Sequence, residues 1–86
     1  MTTEEMNLII TRLQDGTVLR WENEQYGKSV ISYDKTSKKF IIAIENWTTD
    51  ITDPQLEQLE FDETQFTDWL QKTYQDFIQF KNTYSL

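Results

Sequence analysis

The spacing of the apolar residues changes twice along this chain, and that change constrains the fold more than any other feature of the sequence. Near the N-terminus, Met6, Ile9, Ile10 and Leu13 recur every three or four residues, the repeat of one helical face. From Thr17 the period shortens to two, with Leu19 and Trp21 on one side and Val18, Arg20 and Glu22 on the other, as in a half-buried strand. From Phe66 the longer spacing returns in Phe66, Trp69, Leu70, Thr73, Phe77 and Phe80, with Tyr74 and Ile78 beside the stripe. A helix stripe and a strand face can each leave water only by packing on another element, so this order asks for helices laid on a sheet.

Local signals place the boundaries. Thr2 with Glu5 makes a capping-box pattern and Asp15-Gly16 a stop, which predicts a helix over 3–14. Asn23 to Lys28 contains Gly27 and reads as a turn; Ser29 to Asp34 is a second strand, and Lys35-Thr36-Ser37-Lys38 a polar loop, whose lysines discourage edge pairing. The third strand, Phe40 to Ile44, is apolar on both faces. Such a run predicts a central strand, or a sheet whose second face is covered by a helix or another subunit. Asp53-Pro54 resembles an N-cap followed by proline at the first helical position, so Gln55 to Glu60 is predicted as a short helix, and Asp62 then caps a long one from Glu63 to about Lys81. The expected fold is α+β: an N-terminal helix, a three-stranded antiparallel sheet, a short helix and a long C-terminal amphipathic helix packed on one sheet face. With one proline and two glycines among 86 residues, no hinge is evident, and residues 1–86 are expected to form a single domain.

The residues that are missing narrow the chemistry. There is no cysteine and no histidine, which removes disulfides, thiolate metal sites, the commonest general base and every Cys/His or Ser/His catalytic pair. No Walker A, GxGxxG, GxSxG or HExxH pattern occurs. The carboxylates of residues 50–63 lack the glycine and the spacing of a calcium loop. The expectation is a protein that is not an enzyme and that uses no cofactor and no metal. The N-terminal segment is acidic where a signal peptide would be basic, and the longest apolar run, Phe40 to Ile44, is far short of a membrane span. A cytoplasmic location without membrane contact is therefore expected. Scarce Ala, Gly, Arg and Pro suggest an AT-rich bacterial or phage source.

Charge is distributed unevenly. Residues 1–46 carry seven acids and six bases, whereas residues 47–86 carry eight acids and two bases. The segment from Asp50 to Asp68 holds seven acids and no base. Asp50, Asp53, Glu57, Glu60, Asp62, Glu63 and Asp68 are thus the candidate contact residues for a basic partner protein, such as one that handles nucleic acid, because clustered like charge steers association. Trp47 and Phe61 are the nearby apolar anchors. The blander reading makes Asp53 and Asp62 helix caps and the rest a solvated face. Trp21, Tyr26, Tyr33 and Trp47 lie on or near the strands, where bases could stack. A net charge of −7 with scattered bases nevertheless lacks the footprint for phosphates, so no direct nucleic-acid binding is expected.

The layout of helix, three strands and acidic C-terminal helices in so short a chain is similar in outline to some phage-encoded anti-CRISPR proteins and small bacterial immunity proteins. That resemblance covers architecture alone and implies an inhibitor. The leading expectation is a small acidic protein-binding module of inhibitor or immunity type. The alternative is a structural or assembly protein that forms a homodimer or larger homo-oligomer through residual apolar sheet or helix surface.

Overall fold

The computed structural model describes residues 1–24, 27–46 and 55–84. In chain order the elements are α1 (Thr3–Gln14), β1 (Leu19–Asn23), β2 (Gly27–Asp34), β3 (Lys39–Asn46), β4 (Gln55–Phe61), α2 (Glu63–Thr73) and α3 (Phe77–Tyr84). The four strands form one antiparallel sheet in the order β1-β2-β3-β4.

The capping box that starts α1 is formed: the Glu5 amide donates to Thr2 Oγ1 at 3.2 Å and the Thr2 amide to Glu5 Oε1 at 2.8 Å. Gly16, at φ +101°, ends the helix. The Thr17 amide donates to the Arg12 carbonyl and the Gly16 amide to that of Leu13, the paired bonds of a Schellman stop. At the β2–β3 turn, Asp34 accepts from the Thr36 amide at 3.0 Å and from Ser37 Oγ at 3.1 Å, and Lys38 takes the left-handed conformation that closes the loop.

Alternation then sorts the sheet into two faces. Leu19, Trp21, Ser29, Ile31, Tyr33, Phe40, Ile42, Ile44, Leu59 and Phe61 fall on one face by the strand register. All three helices pack there: Met6, Ile9, Ile10 and Leu13 of α1, Phe66 and Leu70 of α2, and Phe80 and Tyr84 of α3 join Leu19, Ile31, Phe40 and Ile42 in one buried cluster. Phe40 and Phe66 stack at its centre with ring centroids 4.4 Å apart. The other face carries Arg20, Glu22, Lys28, Val30, Ser32, Asp34, Lys39, Ile41, Ala43, Glu45, Leu56, Gln58 and Glu60. Among the described residues, no helix crosses it.

Two expectations are corrected. Gln55 to Glu60, predicted as a short helix, is most of a fourth strand. Its Gln, Glu and Leu residues favour a helix, but β3 has an open edge on that side. Pairing there matches Gln55 through Phe61 with Asn46 through Phe40 and sets Leu59 and Phe61 on the covered face, where burial outweighs local propensity. Asp53 and Pro54, which suggested the helix start, lie outside the described residues. The long C-terminal helix is two helices. At Tyr74 the backbone turns extended, with φ −121° and ψ 125°, and the chain restarts where Asp76 Oδ1 accepts from the Gln79 amide at 2.7 Å. The break brings Phe80 and Tyr84 back onto the sheet and wedges the Tyr74 ring among Trp69, Phe80 and Tyr84. The third strand is central, as its two-sided apolar pattern predicts, although its second face is left open.

Candidate functional site

The acidic run does not converge on one surface within the described residues. In β4, alternation sends Glu57 to the helix-covered side, opposite Ile44, and Glu60 to the open side, opposite Ile41. Asp62 caps α2, accepting from the Gln65 amide at 2.8 Å, while Gln65 Oε1 accepts from the Asp62 amide at 3.0 Å, so its carboxylate is engaged in holding the helix start. Glu63 occupies the first turn of α2, where a negative charge complements the exposed amides. It shares a shallow polar groove with Asp68, and Asp68 pairs with Lys72 at 2.9 Å. Phe61 is half-buried and faces Trp69 with ring centroids 6.4 Å apart, so much of this anchor is spent on the core. Trp47, Asp50 and Asp53 lie outside the described residues, as does Tyr26. Trp21 and Tyr33 sit on the covered face, away from the open side of the sheet. No group of three or more His, Cys, Asp or Glu among the described residues is close enough to hold a metal ion. No described helix is long and apolar enough to cross a membrane.

The open face of the sheet is organised more tightly. At one end of the β2–β3 pair Lys28 stands beside Glu45; at the other Asp34 stands beside Lys39. Lys28 Nζ and Glu45 Oε2 are 3.3 Å apart. Between these charges Val30 neighbours Ala43, and Ser32 neighbours Ile41. Gly27 begins β2 at φ +130°, and a Cβ there would meet the Glu45 carbonyl oxygen at 1.9 Å, so only glycine permits the two strands to approach this closely. On β4, Leu56 is 76 % exposed. With Lys28, Val30, Ala43, Glu45 and Gln58 it lines a groove of about 300 Å³ across the sheet. Sequence reading signalled the apolar residues of this face through the two-sided third strand. It missed Leu56, because that residue was placed in a helix.

Polar groups on the covered face are satisfied. Ser29 Oγ and Tyr84 Oη lie 3.0 Å apart, and the Tyr74 and Tyr84 rings meet edge-on with centroids 6.2 Å apart. Burial, reinforced by the neighbouring Tyr84 hydroxyl, holds the Tyr74 hydroxyl protonated well above the usual phenol range. Among the described residues no buried side-chain nitrogen or oxygen lacks a hydrogen-bond partner.

Comparison with known proteins gives no relative: no family model matches the chain, and neither a curated protein nor a solved structure is similar to it.

Proposed function

We propose that this protein is a non-catalytic protein-interaction module whose working surface is the open face of its sheet, and that the face is occupied by a second copy of the same chain. The observation that carries the reading is the order of residues on β2 and β3. The rows read Lys28/Glu45, Val30/Ala43, Ser32/Ile41 and Asp34/Lys39. A twofold axis parallel to the strands and midway between β2 and β3 lays each of these residues over its neighbour's counterpart. Lys28 then meets Glu45 of the second copy, Asp34 meets its Lys39, and Val30, Ala43 and Ile41 close the centre. The Lys28–Glu45 ion pair and the neighbouring charges of Asp34 and Lys39 alone would serve a solitary sheet. The exposed Leu56 and the groove beside Val30 and Ala43 are what favour a covering partner, since they leave apolar surface in water. Two sheets in this arrangement pack face to face with their strands nearly aligned.

The size of the face sets the strength. With strands ~4.8 Å apart and a rise of ~3.3 Å per residue, it measures roughly 20 by 25 Å, so a pair would bury on the order of 1,000 Å² in total, near the lower bound of specific interfaces. An interface of that size is typical of weak, transient association, so the dimer is expected to be reversible. Sedimentation equilibrium over a concentration series tests it. Ala43→Glu should yield a folded monomer at every concentration. Lys28→Glu and Glu45→Lys should each weaken the dimer, and the double exchange should restore it. A wild-type protein that stays monomeric at millimolar concentration, or a dimer indifferent to Ala43→Glu, would contradict the reading.

A second reading concerns the acids. In the proposed pair the helices face outward, so Glu57, Glu63 and Asp68, the last already paired with Lys72, stay exposed toward a basic partner, as the charge imbalance of residues 47–86 suggests. Captured proteins should elute with rising salt and be lost from a Glu57→Lys/Glu63→Lys/Asp68→Lys variant. Retention by that variant would dismiss the acidic surface.

A further inference from the structure

On the opposite side of the sheet from the proposed dimer face, a cleft of about 330 Å³ opens between the covered face and the corner where α2 gives way to α3. Four large aromatic residues line it: Trp21 from β1, Trp69 from α2, Tyr74 from the bend and Tyr84 from α3. Ser29 and Ile44 reach it from the sheet. Thr73 and Thr83 complete the lining. Close-packed interiors leave few voids larger than a water molecule. Here Trp21, Trp69 and Tyr74 remain only half-buried, bordering the space rather than filling it.

The chemistry of the lining selects a ligand class. It offers aromatic rings and paired hydroxyls, with Ser29 Oγ 3.0 Å from Tyr84 Oη, and none of the described residues that line it is Asp, Glu, Lys or Arg. A charged ligand group would lose water there without meeting a counter-charge. A flat, neutral ring loses little water and gains contact with the indoles and phenols. The hydroxyls satisfy one another and keep unused lone pairs, enough to accept one hydrogen bond from a ring N–H. The volume lies at the small end of ligand pockets, which suits a one- or two-ring compound.

We propose that this cleft binds a small, neutral aromatic molecule of indole or nucleobase size, held between the rings of Trp21, Trp69 and Tyr74 and oriented by the Ser29–Tyr84 hydroxyls. The bend at Tyr74 is then part of the site, since a continuous helix would not set that ring at this corner.

The test is an NMR titration of nitrogen-15-labelled protein with indole, with benzoate and tetramethylammonium as charged counterparts. Indole should shift the Nε1–H signals of Trp21 and Trp69 and the amides of Tyr74 and Tyr84 saturably, with a dissociation constant on the order of 0.1–1 mM for so few atoms. The charged probes should leave them in place. Thr73→Trp, which fills the mouth of the cleft, should cut the response at least several-fold while the melting temperature shows the variant folded. The monomeric Ala43→Glu variant should bind indole as the wild type does, which separates this proposal from the dimer reading. It is overturned if indole at about 10 mM gives no saturable shift, if either charged probe binds as well, or if Thr73→Trp responds undiminished. The selectivity measured on the wild type decides the matter even where the variant fails to fold.

Discussion

The two faces of the sheet are built from the same strands and obey opposite rules. On the covered face the residues are large and interlocked: Phe40 stacks on Phe66, and Ile31, Ile42, Leu70 and Phe80 are almost wholly removed from water. On the open face charged residues alternate with Val30, Ile41, Ala43 and the exposed Leu56, and each charge at the ends of β2 and β3 has an opposite neighbour. The first face has its partner within the chain, in three helices. The second is left open among the described residues, and the proposed dimer would give it a partner from outside the chain.

Substitutions on the two sides should therefore differ in kind. The largest effect is expected at the centre of the covered face. Phe66→Ala removes a ring with no exposure and should cost about 3–5 kcal/mol, a large share of the stability of a small domain, read as a collapse of the urea midpoint. Next comes Gly27→Ala, where a positive φ and a Cβ 1.9 Å from the Glu45 carbonyl oxygen should cost about 2–3 kcal/mol by straining the β2–β3 pairing. Should Gly27→Ala melt like the wild type, the close register on which the open face depends would be wrong.

A smaller effect, with a pH signature, is expected at Tyr74. Its hydroxyl stays protonated in the folded chain to a higher pH than in the unfolded one, because it is buried and lies beside the Tyr84 hydroxyl. Its contribution is complete below the unfolded-state pKa of about 10. Above that value the unfolded chain releases the proton more readily than the folded chain, so stability falls as pH rises. Tyr74→Phe should show a shallower decline between about pH 9 and 11 in urea melts. The smallest effect belongs to the open face. Leu56→Ser, at a residue 76 % exposed, should change the dilute melting behaviour by no more than about 0.5 kcal/mol while still weakening self-association.

The same contrast explains what the sequence made legible. Capping at Thr2 and Asp62, the stop at Gly16 and the alternation of Leu19 with Trp21 depend on residues a few positions apart, and each appears in the structure. β4 was hidden because Gln55 to Glu60 favours a helix when read alone, and only the free edge of β3 turns it into a strand. The break at Tyr74 was masked by an apolar stripe that runs through it unbroken; Asp76 followed by Gln79, a capping spacing, was the signal available. The acidic run from Asp50 to Asp68 was plain, but its placement was not, since a strand sends Glu57 and Glu60 to opposite sides. The matching of Lys28 with Glu45 and Asp34 with Lys39 needs the register of a hairpin. The aromatic cleft gathers Trp21, Ser29, Trp69 and Tyr84 from across the chain, beyond the reach of any local pattern.

The claim that the open face pairs with a second copy is tested most directly by following backbone amide shifts as the protein is diluted from millimolar to micromolar concentration. The account predicts concentration-dependent shifts confined to the strands of the open face, residues 20–22, 28–34, 39–45 and 56–60, and silence from α1, α2 and α3. Shifts centred on the exposed sides of the helices, or none at any concentration, would contradict it.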